Sequence, residues 1–111
     1  MFPEASIVYG IDLGQIDSED IDKLDTALTI HKAVEISSYG EEGVEEYYIL
    51  NIKNYRLPSV ICGAKSFDPS KLIAPPNWDV ELQKAITDVD KILHTTTKTK
   101  PKWFLIELYG G

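Results

Sequence analysis

AVEISSYGEEGVEEYYILNIK, residues 33–53, contains two β-prone segments separated by a turn. Residues 33–39 alternate apolar and polar side chains, which is typical of a half-buried strand. The GEEG sequence at 40–43 favours a turn, and residues 45–53 are rich in tyrosine and isoleucine. The stretch therefore predicts a β-hairpin, which forms the middle of the predicted domain.

Upstream of the hairpin the sequence predicts one strand and one helix. Residues 6–11 are short, apolar and β-prone. Asp17 then provides a candidate N-cap, with Asp20 three positions further on as in a capping box. Apolar residues recur at helical spacing from there to His31. We predict a first strand over 6–11 and a first helix over 18–31.

Downstream of the hairpin the sequence predicts a second helix and a last strand. Asn77 is a candidate N-cap, and the helix that follows carries a continuous apolar stripe formed by Trp78, Leu82, Ala85, Ile86, Val89 and Leu93. Residues 94–102 form a polar linker rich in threonine and lysine. Residues 103–109 are β-prone and end at two glycines, so they predict the final strand.

The predicted order of elements is β-α-β-β-α-β. This is the split βαβ, ferredoxin-like arrangement, an α+β fold in which both helices lie on one face of an antiparallel sheet. The 111 residues suit a single α+β domain over residues 1–111. Residues 54–77 hold four of the six prolines and show no helical period, so they predict a long irregular insertion between strand 3 and helix 2. A short strand over 59–62 is an alternative within it.

The predicted sheet is apolar on both faces, although two helices cover only one face. We assign Phe104, Ile106 and Leu50 to the row beneath the helices. The opposite row still carries Trp103, Leu105, Tyr109, Tyr47 and Ile49. Large apolar patches generally mark contacts. Three ways of covering this second face remain open. Residues 54–77 fold back over it, a second copy of the chain packs there in a homo-oligomer, or a binding partner occupies it.

Charge is unevenly distributed along the chain. Its 11 Lys and Arg residues against 18 Asp and Glu residues give a net charge of −7. Residues 1–46 hold 12 acidic and 2 basic residues, whereas 47–111 hold 6 acidic and 9 basic residues. An acidic first half argues against nonspecific nucleic-acid binding, which depends on phosphate neutralisation. It suits a protein partner with a basic surface, or it simply keeps a small protein soluble.

The sequence shows no signal peptide and no apolar stretch of membrane-spanning length, so we expect a cytoplasmic protein without a membrane partner. Cys62 is the only cysteine, which excludes an intramolecular disulfide. No spacing of histidine, cysteine or carboxylate side chains is typical of a metal site. We therefore predict no metal and no cofactor.

No set of residues predicts catalysis. Residues 10–14 read GIDLG, as at the start of sugar kinases and actins, but such a phosphate-binding start needs a Ser- or Thr-rich turn and a much longer chain. We interpret Asp12 as a turn or capping residue. His31 and His94 fall at predicted helix ends, where a cation favours the dipole, and we interpret both as structural. The sequence thus predicts a protein that is not an enzyme.

The dipeptide Tyr-Gly occurs three times, each time in or at the end of a predicted strand. Its tyrosines either occupy half-exposed strand positions or cluster at one sheet edge as a recognition patch. The lysines of the linker and Arg56 are either solvated or suited to phosphate groups beside an aromatic ring. The candidate binding residues are Tyr9, Tyr39, Tyr47, Trp103, Tyr109, Arg56, Lys98, Lys100 and Lys102.

The two ends of the chain resemble a loose group of small bacteriophage proteins. The shared features are Tyr9-Gly10-Ile11 and the run from Lys100-Pro101-Lys102-Trp103 to Leu108-Tyr109-Gly110. Proteins of that group also begin with a strand ending in Tyr-Gly-Ile and close with a Trp-containing strand ending in Tyr-Gly. The resemblance implies a context only, because short, acidic, intracellular phage proteins are often counter-defence factors.

The leading hypothesis is a non-catalytic, phage-type binding protein in the cytoplasm of an infected host cell. It would act as a counter-defence factor and inhibit a host protein by direct binding through an acidic and aromatic surface. The alternative is an oligomeric sponge that sequesters a cyclic nucleotide immune signal. In that case the Tyr-Gly tyrosines would stack on bases, and Arg56 with the lysines at 98, 100 and 102 would pair with phosphates.

Overall fold

A computed structural model describes residues 4–41, 45–57, 70 and 72–109, with side chains left undescribed at 4, 41, 45, 57 and 107–109. The strands are β1 (Glu4–Gly14), β2 (Glu35–Glu41), β3 (Glu45–Leu57) and β4 (Lys102–Tyr109). The helices are α1 (Ser18–Ala27), followed by a 3₁₀ turn (Leu28–Ile30), and α2 (Pro76–Leu93). The chain is therefore an α+β protein with the predicted order of elements.

Several element bounds differ from the predicted ones, and the first strand is longer at both ends, over Glu4–Gly14 where 6–11 was predicted. The first helix narrows to a 3₁₀ turn after Ala27. The third strand continues past residue 53 to Leu57, because Asn54, Tyr55 and Arg56 pair with β1. The second helix begins at Pro76, where the missing N–H of proline costs no helical hydrogen bond. Most of the predicted irregular insertion, including 59–62, lies outside the described residues.

The strands form one sheet in the order β2-β3-β1-β4. β1 lies between β3 and β4 and pairs with both in an antiparallel direction, and β2 pairs with β3 in the same way. A short parallel pairing of Gly40 with Leu108 and of Glu41 with Tyr109 then joins β2 to β4. This pairing closes the sheet into a small barrel and was not part of the predicted arrangement.

A β-bulge bends the sheet at the centre of the β1–β3 ladder. Tyr9 pairs with Lys53 and Gly10 pairs with Asn51, so one residue of β3 is left without a partner on β1. A Cβ at Gly10 would overlap the carbonyl oxygen of Leu50 and lie 2.8 Å from the Cα of Asn51. Bulges increase strand twist. The close crossing at Gly10 therefore lets the β2–β3 hairpin curl towards β4.

The main core lies between one face of the sheet and the two helices. β1 and β3 supply Tyr9, Ile11 and Leu50. The helical side is formed by Leu24, Leu28, Leu82, Ala85, Ile86 and Val89. Both helices contribute to the same cluster, so they lie on one face, as predicted. Within the described part of the chain, no helix is long and apolar enough to span a membrane.

A second, smaller core fills the other face of the sheet. Val8, Ile49 and Ile106 are buried there, and Tyr39 and Phe104 pack against them. The covering of this face is therefore partly intramolecular, because the curled sheet folds over it. None of the three predicted ways of covering this face was a closure of the sheet over itself. The burial also weakens the reason for expecting a homo-oligomer.

The predicted assignment of β4 rows to faces is wrong. Trp103 lies beside Tyr9 on the helical face, and Phe104 and Ile106 point into the second core. Alternation along a strand identifies residues that share a face, but only pairing with β1 decides which face the helices cover. Leu105 remains 66% exposed.

The linker between α2 and β4 is held by Asp90. The hydroxyl groups of Thr95 and Thr97 donate to Oδ1 of Asp90 at 2.7 and 2.6 Å, and the Thr97 amide donates to Oδ2 at 3.0 Å. Burial by itself raises the pKa of Asp90, but these hydrogen bonds outweigh it and leave the pKa below its usual value. His94 takes the left-handed conformation, with φ 56°, that ends the helix.

Candidate functional site

The predicted binding residues fall into separate groups. Tyr9 and Trp103 lie beneath α2, and Tyr39 and Tyr47 lie opposite each other on the β2–β3 hairpin. The side chain of Tyr109 lies outside the described residues. The four basic residues, Arg56, Lys98, Lys100 and Lys102, are spread over β3, the linker and the start of β4. The structure thus brings together two of the candidate tyrosines on the hairpin, without the basic residues.

Tyr9 and Trp103 belong to an aromatic cluster with Trp78 of α2. The ring of Tyr9 lies 5.1 Å from that of Trp103 and 5.9 Å from that of Trp78. The hydroxyl of Tyr9 donates to Oδ1 of Asp79 at 2.6 Å. Burial, together with this bond, raises the pKa of Tyr9 to about 12. Tyr9 is only 7% exposed, so it attaches α2 to the sheet and offers almost no contact surface.

Tyr39 and Tyr47 form a stacked pair at the end of the hairpin. Their ring centroids lie 5.5 Å apart, with an interplanar angle of 22°. The hydroxyl of Tyr39 donates to Oδ1 of Asp12 at 2.8 Å. The same oxygen accepts the amide of Gly14 at 3.1 Å, and Gly14 has a φ of 72°. Asp12, interpreted from the sequence as a turn or capping residue, lies within β1, where its carboxylate holds the Gly14 amide and the ring of Tyr39.

A second tyrosine–carboxylate pair lies at the same end of the sheet. The hydroxyl of Tyr48 donates to Oε2 of Glu46 at 3.3 Å. Burial raises the pKa of Tyr48, and the negative charges of Glu46 and of Asp25 on α1 raise it further. The charge of Asp25 therefore reaches this tyrosine from the neighbouring helix. Because Tyr47 and Tyr48 are consecutive strand residues, the two groups lie on opposite faces of the hairpin at the same end of the sheet. We call this end of the sheet, with both groups, the acidic tyrosine surface: Asp12, Asp25, Tyr39, Glu46, Tyr47 and Tyr48.

A cleft opens where β2 closes against β4. Its volume is about 390 Å³, which lies within the range of roughly 300–1,000 Å³ that is usual for ligand sites. Its lining residues are Asp12, Tyr39, Gly40, Ile49, Phe104, Leu105 and Ile106. Apolar side chains form most of the wall, and the carboxylate of Asp12 provides its charged group. We call this cleft the seam cleft.

The basic candidates do not line the seam cleft. Lys102 pairs with Gly10 on one side of β1, and Arg56 pairs with Ser6 on the other side. Lys98 and Lys100 are exposed along the linker. Among the described residues that line the cleft, none is basic. Two of the residues that do line it, Asp12 and Phe104, were absent from the predicted binding set.

The chemical groups at the site are one carboxylate, tyrosine hydroxyls and apolar side chains. Among the described residues, no three histidine, cysteine or carboxylate side chains are arranged to hold a metal ion. Asp12 is exposed, and its bonds to Tyr39 and Gly14 hold it in one orientation. Comparison with family models, with curated proteins and with solved structures finds no match for this chain. Function must therefore be inferred from the geometry of this site.

Tyr39→Phe is expected to lower the free energy of unfolding at neutral pH by about 1–2 kcal/mol, because the hydrogen bond to Asp12 is lost. Burial, then the bond and charge of Asp12, raise the pKa of Tyr39 from 10.0 to about 12. A raised folded-state pKa stabilises the fold below pH 10, and that contribution disappears between pH 10 and pH 12. Urea unfolding across this range measures it.

The matched control for this prediction is Tyr55→Phe, which changes a tyrosine that is 41% exposed. Within the described residues, the hydroxyl of Tyr55 has no hydrogen bond. This control is expected to change stability little at neutral pH. The difference in the free energy of unfolding between wild type and Tyr39→Phe should narrow as the pH rises towards about 12. A difference in the free energy of unfolding that stays constant through this range would contradict the prediction, because it would show that the contribution of Tyr39 to stability does not require a protonated hydroxyl.

Proposed function

We propose that the chain is a non-catalytic binding protein that contacts a basic surface of a protein partner through the acidic tyrosine surface. The observation that carries this proposal is the Tyr39–Tyr47 stack, which is fixed by the hydrogen bond from Tyr39 to Asp12. Rings that are ordered before binding lose little entropy on binding, so they suit a recognition surface.

The charges of the same surface support a basic partner. Asp12, Asp25 and Glu46 are exposed carboxylates close to the tyrosines. Complementary charge steers association and excludes wrong partners more than it raises affinity. Tyrosine is enriched at the centre of protein interfaces, and charged groups are more common at the rim. The acidic tyrosine surface combines both features.

The bacteriophage resemblance extends the proposal to a biological context. On that basis the partner is a host protein, the binding inhibits it, and the chain acts as a counter-defence factor in the cytoplasm of the infected cell. The support for this context is the set of terminal Tyr-Gly and Trp motifs. We also propose that the fold is a closed form of the ferredoxin-like arrangement, as the order β2-β3-β1-β4 and the shared helical face suggest.

The nucleotide-sponge alternative has less support. Two of its stacking residues, Tyr9 and Trp103, pack against Trp78 beneath α2. Its phosphate-binding residues Arg56 and Lys102 lie on strands that flank opposite sides of β1. Binding of a cyclic nucleotide is therefore an outcome of the tests and is not a second proposal.

The proposal is tested by capturing partners from a bacterial lysate on the immobilised chain and measuring the affinity of each purified partner. Asp25→Lys and Glu46→Lys each change the net charge by two within the acidic tyrosine surface. We expect each to weaken binding about tenfold, or about 1.4 kcal/mol. Binding of the wild type should also weaken as salt is raised.

Glu81→Lys is the matched control, because it makes the same charge change on α2, where Glu81 pairs with Lys84 at 3.7 Å. We expect it to leave partner binding unchanged. An equal loss for all three variants would mean that only net charge matters, and it would contradict a defined binding surface. Partner binding that none of the variants alters would also reject this surface.

A further inference from the structure

We propose that the seam cleft receives one arginine side chain of the partner, with the guanidinium on Asp12 and the aliphatic stem along the apolar wall. This inference rests on the proposed function, because it names the group that a basic partner inserts. It adds a defined pocket to the proposed contact with a basic partner, which charge attraction alone would not confine to one position. The occupant is a protein side chain and not a free metabolite.

The side chains that line the seam cleft suit the methylene groups and the planar guanidinium of an arginine. Ile49 and Ile106 are 0% and 6% exposed, so they form a fixed support behind the wall. The accessible apolar surface comes from Tyr39, Phe104 and Leu105. Tyr39 and Phe104 pack against this support and line the cleft with aromatic rings. Arginine buries its methylene groups on apolar surface, and its guanidinium stacks on aromatic faces more readily than the ammonium of lysine does.

The charged end of the cleft is prepared to accept a donor. The hydroxyl of Tyr39 and the amide of Gly14 both donate to Oδ1 of Asp12, at 2.8 and 3.1 Å. Within the described residues, Oδ2 receives no hydrogen bond, so it keeps its full capacity to accept one from a ligand. The two bonds on Oδ1 prevent the carboxylate from rotating, which lowers the entropic cost of binding. A charge-assisted bond from a guanidinium to Oδ2 is stronger than a neutral one.

The same features disfavour anionic occupants. Asp12 places a negative charge at the cleft, which repels a phosphate or a carboxylate. None of the described lining residues offers a positive charge to a phosphate. The hydroxyl of Tyr39 is a neutral phenol at physiological pH. It therefore continues to donate to Asp12 when a cation binds.

The test is a titration of the isotope-labelled chain with short peptides that differ at one position: arginine, lysine or citrulline. Citrulline keeps the shape of arginine but carries no charge. We expect millimolar binding of the arginine peptide, with amide shifts confined to residues around Asp12, Tyr39 and Phe104. The citrulline peptide should bind at least about tenfold more weakly, and the lysine peptide should also bind more weakly.

Asp12→Asn is the first variant, because an asparagine Oδ1 still accepts the bonds from Tyr39 and Gly14 while the charge is lost. We expect it to lose arginine-peptide binding without a general change in amide shifts. Phe104→Leu is an independent second variant, which should weaken the arginine peptide through loss of the ring. Asp22→Asn changes an exposed carboxylate of α1 and is the matched control, with unchanged binding expected.

Equal binding of arginine and citrulline peptides, or shifts outside the seam cleft, would overturn the arginine pocket. Partner capture that falls with Glu46→Lys but not with Asp12→Asn would preserve the proposed function and reject this inference. Arginine-selective shifts in the cleft without charge-dependent capture of any partner would instead support the pocket and reject the proposed function. A cyclic nucleotide that shifts the same amides would contradict the cationic occupant.

Discussion

Gly10→Ala is expected to destabilise the chain by about 3 kcal/mol or more. A Cβ at position 10 would overlap the carbonyl oxygen of Leu50 and lie 2.8 Å from the Cα of Asn51. Both neighbours are backbone atoms of β3, so no side-chain rotation relieves the overlap. A domain of this size is stable by only about 5–15 kcal/mol. Urea unfolding followed by circular dichroism measures the loss.

Gly14→Ala is the control for this prediction. It adds the same methyl group in open space, where no atom lies within 4 Å, but at a φ of +72° that disfavours alanine. We expect a smaller loss of about 1–2 kcal/mol from this backbone strain. A Gly10→Ala chain as stable as the Gly14→Ala chain would show that β1 and β3 do not cross closely at the bulge, and the closure of the sheet would lose its physical cause.

Trp103→Ala is expected to cost about 3–5 kcal/mol of stability, because it removes the centre of the aromatic cluster. The ring of Trp103 lies 5.1 Å from Tyr9, 6.2 Å from Trp78 and 6.1 Å from Tyr55. Its loss would leave α2 without its main aromatic contact on β4. Trp103→Phe keeps a ring in the cluster and should lose considerably less. Denaturant unfolding and partner affinity are both measured on the two variants.

These two readouts separate a packing role from a contact role for Trp103. The structure predicts reduced stability, with partner affinity intact in the folded fraction of Trp103→Phe. The sequence instead placed Trp103 on the second face as a candidate binding residue. A Trp103→Ala chain of wild-type stability that no longer binds its partner would favour that earlier interpretation over the packing described here.

The secondary structure was largely predictable because local periodicity determines it. Residues 33–53 show strand alternation on both sides of a turn, and α2 carries an apolar stripe over its whole length. Both elements are present with small shifts at their ends. The extension of β3 to Leu57 was missed because its last residues are polar, and only pairing with β1 makes them a strand.

The closure of the sheet was not predictable from local pattern. It depends on the bulge at Gly10 and on contacts between Gly40 and Leu108, which are distant in sequence. A Tyr-Gly dipeptide shows neither that its glycine lies against a neighbouring backbone nor that another strand returns to it. The assignment of Trp103 to the wrong face has the same cause, because the pairing of Trp103 with Tyr9 decides which face of the sheet its side chain occupies.

The candidate site was predictable in part. The Tyr-Gly dipeptide drew attention to Tyr39, alternation placed Tyr47 on the second face, and Asp12 was interpreted as a turn or capping residue. Nothing in the sequence joined these three observations, because the bond from Tyr39 to Asp12 links residues 27 positions apart. The contribution of Phe104 to the seam cleft likewise required the pairing of β2 with β4.

Closure of β2 against β4 is the central claim, because it covers the second face and creates the seam cleft. The most direct measurement is a search for nuclear Overhauser contacts between the backbones of residues 40 and 108 in the labelled chain, repeated on a mixed labelled and unlabelled sample. Paired residues on neighbouring strands lie close enough for such contacts. We predict contacts within one molecule. Their absence, or their appearance only between molecules, would contradict the closed sheet.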